Sequence, residues 1–119
     1  MRLKCVNLVS TDPVRLQAFY ALVLGTSSAE IVPGRWELPA GEATLVITQT
    51  QTHTPVNPDC CGLEFVVDNV DTEYRRLLAA GVTTVRPPVT YPWGWRAVGL
   101  QDPDGNHIDL VQSVGNSLA

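Results

Sequence analysis

Residues 3–25 read LKCVNLVSTDPVRLQAFYALVLG, and residues 60–81 read CCGLEFVVDNVDTEYRRLLAAG. Each segment passes from an apolar strand pattern to a helix-capping residue, then to an amphipathic helix pattern, and ends at a glycine. The two segments align when Asp12 is placed on Asn69. A repeat that spans about half of the chain predicts two copies of one supersecondary unit.

The first helix has clear start and stop signals. Asp12 is a favourable N-cap, and Pro13 suits the first helical position. Apolar side chains follow at helical spacing, and Gly25 ends the pattern. The second helix is predicted to run from its cap at Asn69 to about Ala80.

Short strand patterns complete each half of the chain. The predicted strands are residues 3–9, 29–32, 35–38 and 43–48 in the first half, and residues 62–67, 83–86, 97–101 and 107–112 in the second half. Each half therefore reads as a βαβββ module, which predicts an α+β fold. We expect one domain made of two tandem modules, residues 1–54 and 60–119, with a Pro-containing linker at 49–59. One helix per module leaves the other face of each sheet free to close on a ligand, on another subunit or on the second sheet.

Composition limits the class of protein. A chain of 119 residues suits one compact domain. Its net charge of −4 argues against nucleic-acid binding, which needs clustered Lys and Arg, and permits a cationic or neutral small ligand. The odd set of Cys5, Cys60 and Cys61 favours free thiols over disulfides. Since the sequence has no apolar run of about 20 residues and no signal-peptide pattern, we expect a cytoplasmic protein that does not enter a membrane.

Several short motifs follow one another along nearly the whole chain. They are Asp12 with Phe19-Tyr20 and Leu24-Gly25 in the first half, and FVVDNVD at 65–71, AGV at 80–82, PWG at 92–94, DPDGN at 102–106 and IDL at 108–110 in the second half. In this order they resemble the vicinal oxygen chelate superfamily, the group of glyoxalases, bleomycin-resistance proteins and extradiol dioxygenases. The resemblance implies paired βαβββ modules that form a curved mixed sheet around a cavity. It also implies a homodimer, because small members of the group often build their sites from two subunits.

The resemblance further implies where a divalent metal would be held. Enzymatic relatives take ligands from the first strand of each half and from the last strand of a half, and these positions fall on Cys5, Gly62 and Asp109. Residues 44–48, at the remaining position, offer no strong ligand. Glycine cannot coordinate a metal, and a buried cysteine is usually a small hydrophobic residue. We therefore expect no cofactor and no metal ligand set at the usual site, since so few donors do not hold Mg²⁺, Mn²⁺ or Fe²⁺ firmly.

Strand alternation predicts further polar residues in the cavity. By parity, five side chains can point into it, namely Cys5, Asn7, Glu64, His107 and Asp109. Cys5 and Asn7 are candidates for ligand binding, and the other three are candidate catalytic residues that could act as general bases. Four of these side chains, those of Cys5, Glu64, His107 and Asp109, could also form a displaced metal site. The alternatives are an exposed sheet face for Glu64 and a solvated position at the cavity rim for His107.

An aromatic cluster lies near the end of the second module. Trp93 and Trp95 flank Gly94 close to Tyr91, and the nearby prolines predict a stiff loop over the cavity mouth. Rigid aromatic side chains there could stack on a planar ligand or a cation, which makes both tryptophans ligand-binding candidates. Arg96 could meet an anionic group of the ligand, or pair with one of the two cavity carboxylates. The alternative for the tryptophans is ordinary filling of the core.

These features favour a protein that binds a small organic molecule in the cavity between the modules, without the usual metal. The alternative is a lyase or isomerase of the glyoxalase type that abstracts a proton next to a carbonyl, using Glu64, His107 or Asp109. A third interpretation is a module whose free sheet faces bind another protein.

Overall fold

The computed structural model describes residues 1–52 and 62–115, and these contain eight strands and two helices. The first half forms β1 (Cys5–Ser10), α1 (Pro13–Leu24), β2 (Ala29–Val32), β3 (Arg35–Ala40) and β4 (Ala43–Gln49). The second half forms β5 (Gly62–Val66), α2 (Val70–Ala79), β6 (Thr84–Thr90), β7 (Trp95–Gln101) and β8 (His107–Ser113). Cys60, Cys61 and residues 53–59 of the predicted linker lie outside the described residues, whereas Gln49 belongs to β4.

The two halves pair their strands in the same order. The sheets run β1-β4-β3-β2 and β5-β8-β7-β6. In each sheet the first strand of the module lies parallel to the last, and the other neighbouring strands are antiparallel. This repetition confirms the predicted α+β fold of two tandem βαβββ modules. The strands of the described ranges form two four-stranded sheets.

Helix α1 begins where its sequence signals predict. The side chain of Asp12 accepts a hydrogen bond from the backbone N–H of Arg15 at 3.2 Å, and Pro13 occupies the first turn. Gly25 ends the helix. One face of the helix is buried, through Pro13, Leu16, Tyr20 and Val23. Burial of this face stabilises the first module through apolar contact with its sheet.

Helix α2 repeats this arrangement in the second module. Asn69 caps it by accepting a hydrogen bond from the N–H of Thr72 at 2.9 Å, and the side chain of Gln112 in β8 accepts another from the N–H of Val70 at 2.9 Å. Val70 and Leu77 are fully buried. Since α2 contacts β6, β7 and β8, one face of the second sheet is covered by the helix.

The structure corrects the predicted surroundings of the aromatic cluster. The sixth strand was expected to end at Arg86, but β6 continues to Thr90 and contains Pro87 and Pro88. Its pairing with β7 is irregular on both sides of Arg86. Proline is tolerated here because β6 is an edge strand, where a missing N–H breaks few ladder bonds. Trp95 consequently lies on a strand rather than in a loop.

A buried polar pair lies in the first compact unit, which consists of the first half of the chain together with Asp102–Asp104. The hydroxyl of Tyr20 donates to Oδ2 of Asp102 at 2.6 Å, and Tyr20 is fully buried while Asp102 is 4% exposed. Burial, followed by the charge of Asp102, raises the pKa of Tyr20 well above its usual value. Neutral Tyr20 is therefore part of the folded state.

Neither α1 nor α2 combines the length and the apolar character that crossing a membrane requires, and the described residues contain no other helix.

We expect Tyr20→Phe to lower the free energy of unfolding by about 1–3 kcal/mol, because a buried carboxylate then loses a hydrogen bond. Urea unfolding measures this, with Tyr74→Phe on α2 as the matched control. The raised pKa contributes stability that is complete below the ordinary tyrosine pKa of about 10 and is lost as the pH rises further. The wild type should therefore lose stability above that pH more steeply than Tyr20→Phe, and equal slopes would contradict the assignment.

Candidate functional site

A pocket of about 630 Å³ lies on the face of the second sheet that α2 does not cover. It is lined by Glu64, Val66, Tyr91, Trp93, Trp95, Ala97, Asp109 and Val111. Strand alternation selects these side chains, because Asp109 and Val111 alternate along β8 with the fully or almost fully buried Ile108 and Leu110. The pocket therefore has one apolar floor, one aromatic wall and two carboxylates.

The turn between β6 and β7 builds the aromatic wall. Tyr91 and Trp93 stack with their ring centroids 4.6 Å apart and an interplanar angle of 11°. The N–H of Gly94 donates to the carbonyl of Tyr91 at 3.1 Å, and Gly94 has a φ of 92°, which favours glycine. Trp93 is 60% exposed, so the stacked pair presents an open aromatic surface next to Trp95.

The two pocket carboxylates have different surroundings. Glu64 on β5 and Asp109 on β8 are direct neighbours in the parallel register. Asp109 is held by Arg86, whose Nη2 lies 2.8 Å from Oδ1 of Asp109. Glu64 is exposed and has no hydrogen-bond or ion-pair partner within 1–52 and 62–115. The pocket therefore carries one neutralised and one free negative charge.

A glycine makes room for this ion pair. Gly99 on β7 lies opposite both Arg86 and Asp109 in the register of the sheet. A Cβ at Gly99 would meet Cβ, Cζ and Nη2 of Arg86 at 3.1, 3.2 and 3.3 Å. An added Cβ would therefore require the side chain of Arg86 to shift by a few tenths of an ångström. Cζ of Arg86 also lies over the ring of Tyr91, 6.0 Å from its centroid, which is a cation–π contact with the aromatic wall.

His107 belongs to the same polar cluster, next to Asp109 on β8. Its Nε2 lies 3.2 Å from Oδ1 of Asp109, the oxygen that also accepts from Arg86. The structure thus brings together the three predicted catalytic candidates, Glu64, His107 and Asp109. His107 itself is half-buried beside the pocket rather than part of its lining.

Arg96 faces the other side of the sheet. Its guanidinium donates two hydrogen bonds of 2.8 Å to the carboxylate of Asp71 on α2, and a third to Thr90. These bonds lower the pKa of the Asp71 carboxyl below its usual value. The predicted pairing of Arg96 with a pocket carboxylate is therefore wrong. Trp95 and Arg96 are consecutive on a strand, so their side chains point to opposite faces of the sheet, and only Trp95 faces the pocket.

Cys5 and Asn7 lie on β1 in the first module. Cys5 is a half-buried free thiol, and Oδ1 of Asn7 accepts a hydrogen bond from the hydroxyl of Thr48 at 3.0 Å. Their role in ligand binding stays a prediction.

The donors present do not fit the divalent metal that the resemblance implies. Gly62 offers no side chain, and Asp109 already accepts from a guanidinium at 2.8 Å. Within the described ranges, no three His, Cys, Asp or Glu side chains are arranged to hold a metal ion.

Sequence reasoning missed Arg86 and Gly99. A glycine within the strand pattern at 97–101 is a signal for close approach of another group, and it could have pointed to a large neighbour. The sequence did not identify Arg86 as this neighbour, because the prolines at 87 and 88 suggested that the strand ended there.

Two kinds of similarity accompany this geometry. The family model of a glyoxalase-like domain matches residues 5–111. None of the curated proteins compared with the chain matches it.

Solved structures share the fold. A virulence protein from Salmonella typhimurium superposes with a TM-score of 0.79 at 24% identity, covering 96% of this chain and 98% of that one. A glyoxalase/bleomycin resistance protein/dioxygenase family enzyme from Burkholderia phytofirmans gives 0.78 at 24% identity, with 95% and 99% covered. Lactoylglutathione lyase from Agrobacterium tumefaciens gives 0.74 at 20% identity, with 93% and 92% covered. At these identities the likeness establishes the fold alone.

Proposed function

Since the chain belongs to the glyoxalase-like domain family of the vicinal oxygen chelate superfamily, we propose that it binds a small, planar, positively charged organic molecule. Binding takes place in the pocket of the second module, without a divalent metal and without turnover. The observation that carries this proposal is a free carboxylate, Glu64, on the same pocket as the stacked pair of Tyr91 and Trp93.

The aromatic wall supports the planar part of this proposal. A flat ligand can extend the existing stack, and Trp95 offers further apolar contact. Because the turn of Tyr91 to Gly94 is already closed by a backbone hydrogen bond, little conformational entropy is lost on binding. Each aromatic contact of this kind contributes about 0.5–1.5 kcal/mol beyond the area that it buries.

The charges of the pocket support the positive charge of the ligand. Arg86 compensates Asp109, so Glu64 leaves the lining with one negative charge. A cation over a Trp or Tyr ring gains about 0.5–2 kcal/mol, and an ion pair with an exposed carboxylate adds up to about 1 kcal/mol. Together these contributions correspond to a preference for cations of about twofold to a hundredfold.

We expect N-methylacridinium, a planar cation, to quench the tryptophan fluorescence with one-to-one stoichiometry. It should bind about tenfold more tightly than acridine at a pH at which acridine is uncharged. Glu64→Gln should bring the two affinities close together, because it removes the free charge and keeps the size of the side chain. Fluorescence titration measures both affinities.

Glu42→Gln is the matched control for this experiment. Glu42 is exposed in the turn between β3 and β4, so its substitution changes the net charge equally but should leave the preference for the cation intact. Equal binding of cation and neutral ligand by the wild type would contradict the cationic preference. Absence of binding by both ligands would contradict the proposed function itself.

A second candidate function is proton abstraction next to a carbonyl, as in a lyase or isomerase. The free carboxylate of Glu64 favours it, because a general base must be unpaired and within reach of the substrate. Asp109 is less suited to this role, since Arg86 and His107 both lie against its Oδ1.

For this candidate we expect the wild type to exchange the proton next to the carbonyl in a thiol adduct of an α-ketoaldehyde, followed by NMR in D₂O. Glu64→Gln should lower the rate by about 10²- to 10⁴-fold, the usual contribution of a general base, while Glu42→Gln keeps it. Exchange at an equal rate in all three proteins would eliminate Glu64 as the base.

We also propose a homodimer in which the open sheet face of the second module meets a second copy of the chain. Val66 is 73% exposed and Trp93 is 60% exposed on this face, so it offers two large apolar side chains that a second copy would cover.

Light scattering should then give twice the chain mass of 12.9 kDa. Val66→Asp should reduce the mass to that of one chain, because the carboxylate would be buried in the interface. Val85→Asp, at a residue that is 53% exposed on β6, should leave the dimer intact. A monomeric wild type would refute the dimer.

A further inference from the structure

The carboxylate at the metal-ligand position of the last strand is already neutralised by a side chain of the protein. Asp109 is at the position where the resemblance implies a metal-binding carboxylate, and its Oδ1 lies 2.8 Å from Nη2 of Arg86. The side chain of Asp109 is only 16% exposed and that of Arg86 only 32% exposed, so solvent screens the pair incompletely. A guanidinium keeps its charge at every physiological pH.

The backbone is adapted to this pair. Gly99 is fully enclosed in the sheet between Arg86 and Asp109, and a Cβ there would come within 3.1–3.3 Å of three atoms of Arg86. Strand interiors disfavour glycine unless another group approaches closely. The absence of a side chain at Gly99 therefore gives the guanidinium room to cross β7 and reach Asp109 on β8.

The guanidinium is held mainly by this one carboxylate. Its Nε is buried and has no hydrogen-bond partner among the residues that the structure describes. A buried donor without a partner costs free energy, so hydrogen bonding of the whole guanidinium does not explain why Arg86 lies here. Compensation of the negative charge of Asp109 does explain the position of Arg86.

We propose that the guanidinium of Arg86 takes the place of a divalent metal ion in this pocket. It lies where the metal ion would bind, and it neutralises the charge of Asp109 as the metal ion would. A metal ion approaching Asp109 would meet a fixed positive charge, and displacement of the guanidinium would free Oδ1 of the carboxylate. Removal of Arg86 leaves the carboxylate of Asp109 beside the imidazole of His107, whose Nε2 lies 3.2 Å from Oδ1, and these two donors can bind Co²⁺ together with water. This inference concerns the charge at Asp109 and does not depend on which organic ligand binds.

The test is titration with Co²⁺ alone, followed by its visible absorption and by calorimetry. Arg86→Ala should bind one Co²⁺ per chain at least about tenfold more tightly than the wild type. The gain should disappear in the double variant Arg86→Ala/Asp109→Asn. Methylguanidinium should compete with Co²⁺ for binding to Arg86→Ala, because both cations occupy the same place. If Arg86 had only a structural role, its removal would not produce this competition.

Arg96→Ala provides a matched control. It also breaks an Arg–Asp pair with an N–O distance of 2.8 Å in the second module, but on the face that α2 covers. It should not increase Co²⁺ binding. If Arg96→Ala increases the affinity for Co²⁺ as much as Arg86→Ala does, the increase is a general effect of net charge and the proposal is overturned.

Arg86→Gln gives a second route if Arg86→Ala does not fold. The amide keeps much of the side-chain volume but carries no charge, so Co²⁺ affinity should rise here as well. The proposal is overturned if the wild type binds Co²⁺ through Asp109, or if neither variant binds Co²⁺ more tightly than the wild type.

Discussion

Each sheet has one helix, and one helix covers one face. In the second module this constraint divides the side chains of β7 and β8 into two sets, because neighbouring residues of a strand point to opposite faces. Val98, Leu100, Ile108 and Leu110 form the buried core. The remaining set includes Trp95, Ala97, Asp109 and Val111, which line the pocket. The chemistry of the site thus follows from the requirement that α2 bury its apolar face.

Charge compensation then determines what the pocket can accept. Asp109 could serve as a metal ligand in a different setting, but here the ion pair with Arg86 removes its charge from the surface offered to a ligand. Glu64, its neighbour in the register, remains free. A pocket with one uncompensated carboxylate and an aromatic wall differs in kind from a metal centre, although the fold around it is that of the glyoxalase-like domain.

Local signals in the sequence were sufficient for the architecture. The caps at Asp12 and Asn69 and the repeated order of strands and helices predict both modules, because capping and periodicity act within a few residues. They do not predict partners across a sheet. Arg86 and Asp109 are distant in sequence, and they meet only because of the register of three strands. Since the pairing of β6 with β7 is irregular, this register cannot be derived from the alternation of side chains alone.

The prolines of β6 have a consequence of another kind. A strand at the edge of a sheet presents unpaired backbone groups, and a second polypeptide can add to it and begin an aggregate. Consecutive N–H groups of a strand point to opposite sides, so one of Pro87 and Pro88 removes a donor from this open edge and interrupts the row of donors that an incoming chain would need. The stiff segment that precedes the aromatic turn therefore also disfavours the addition of a further strand at that edge.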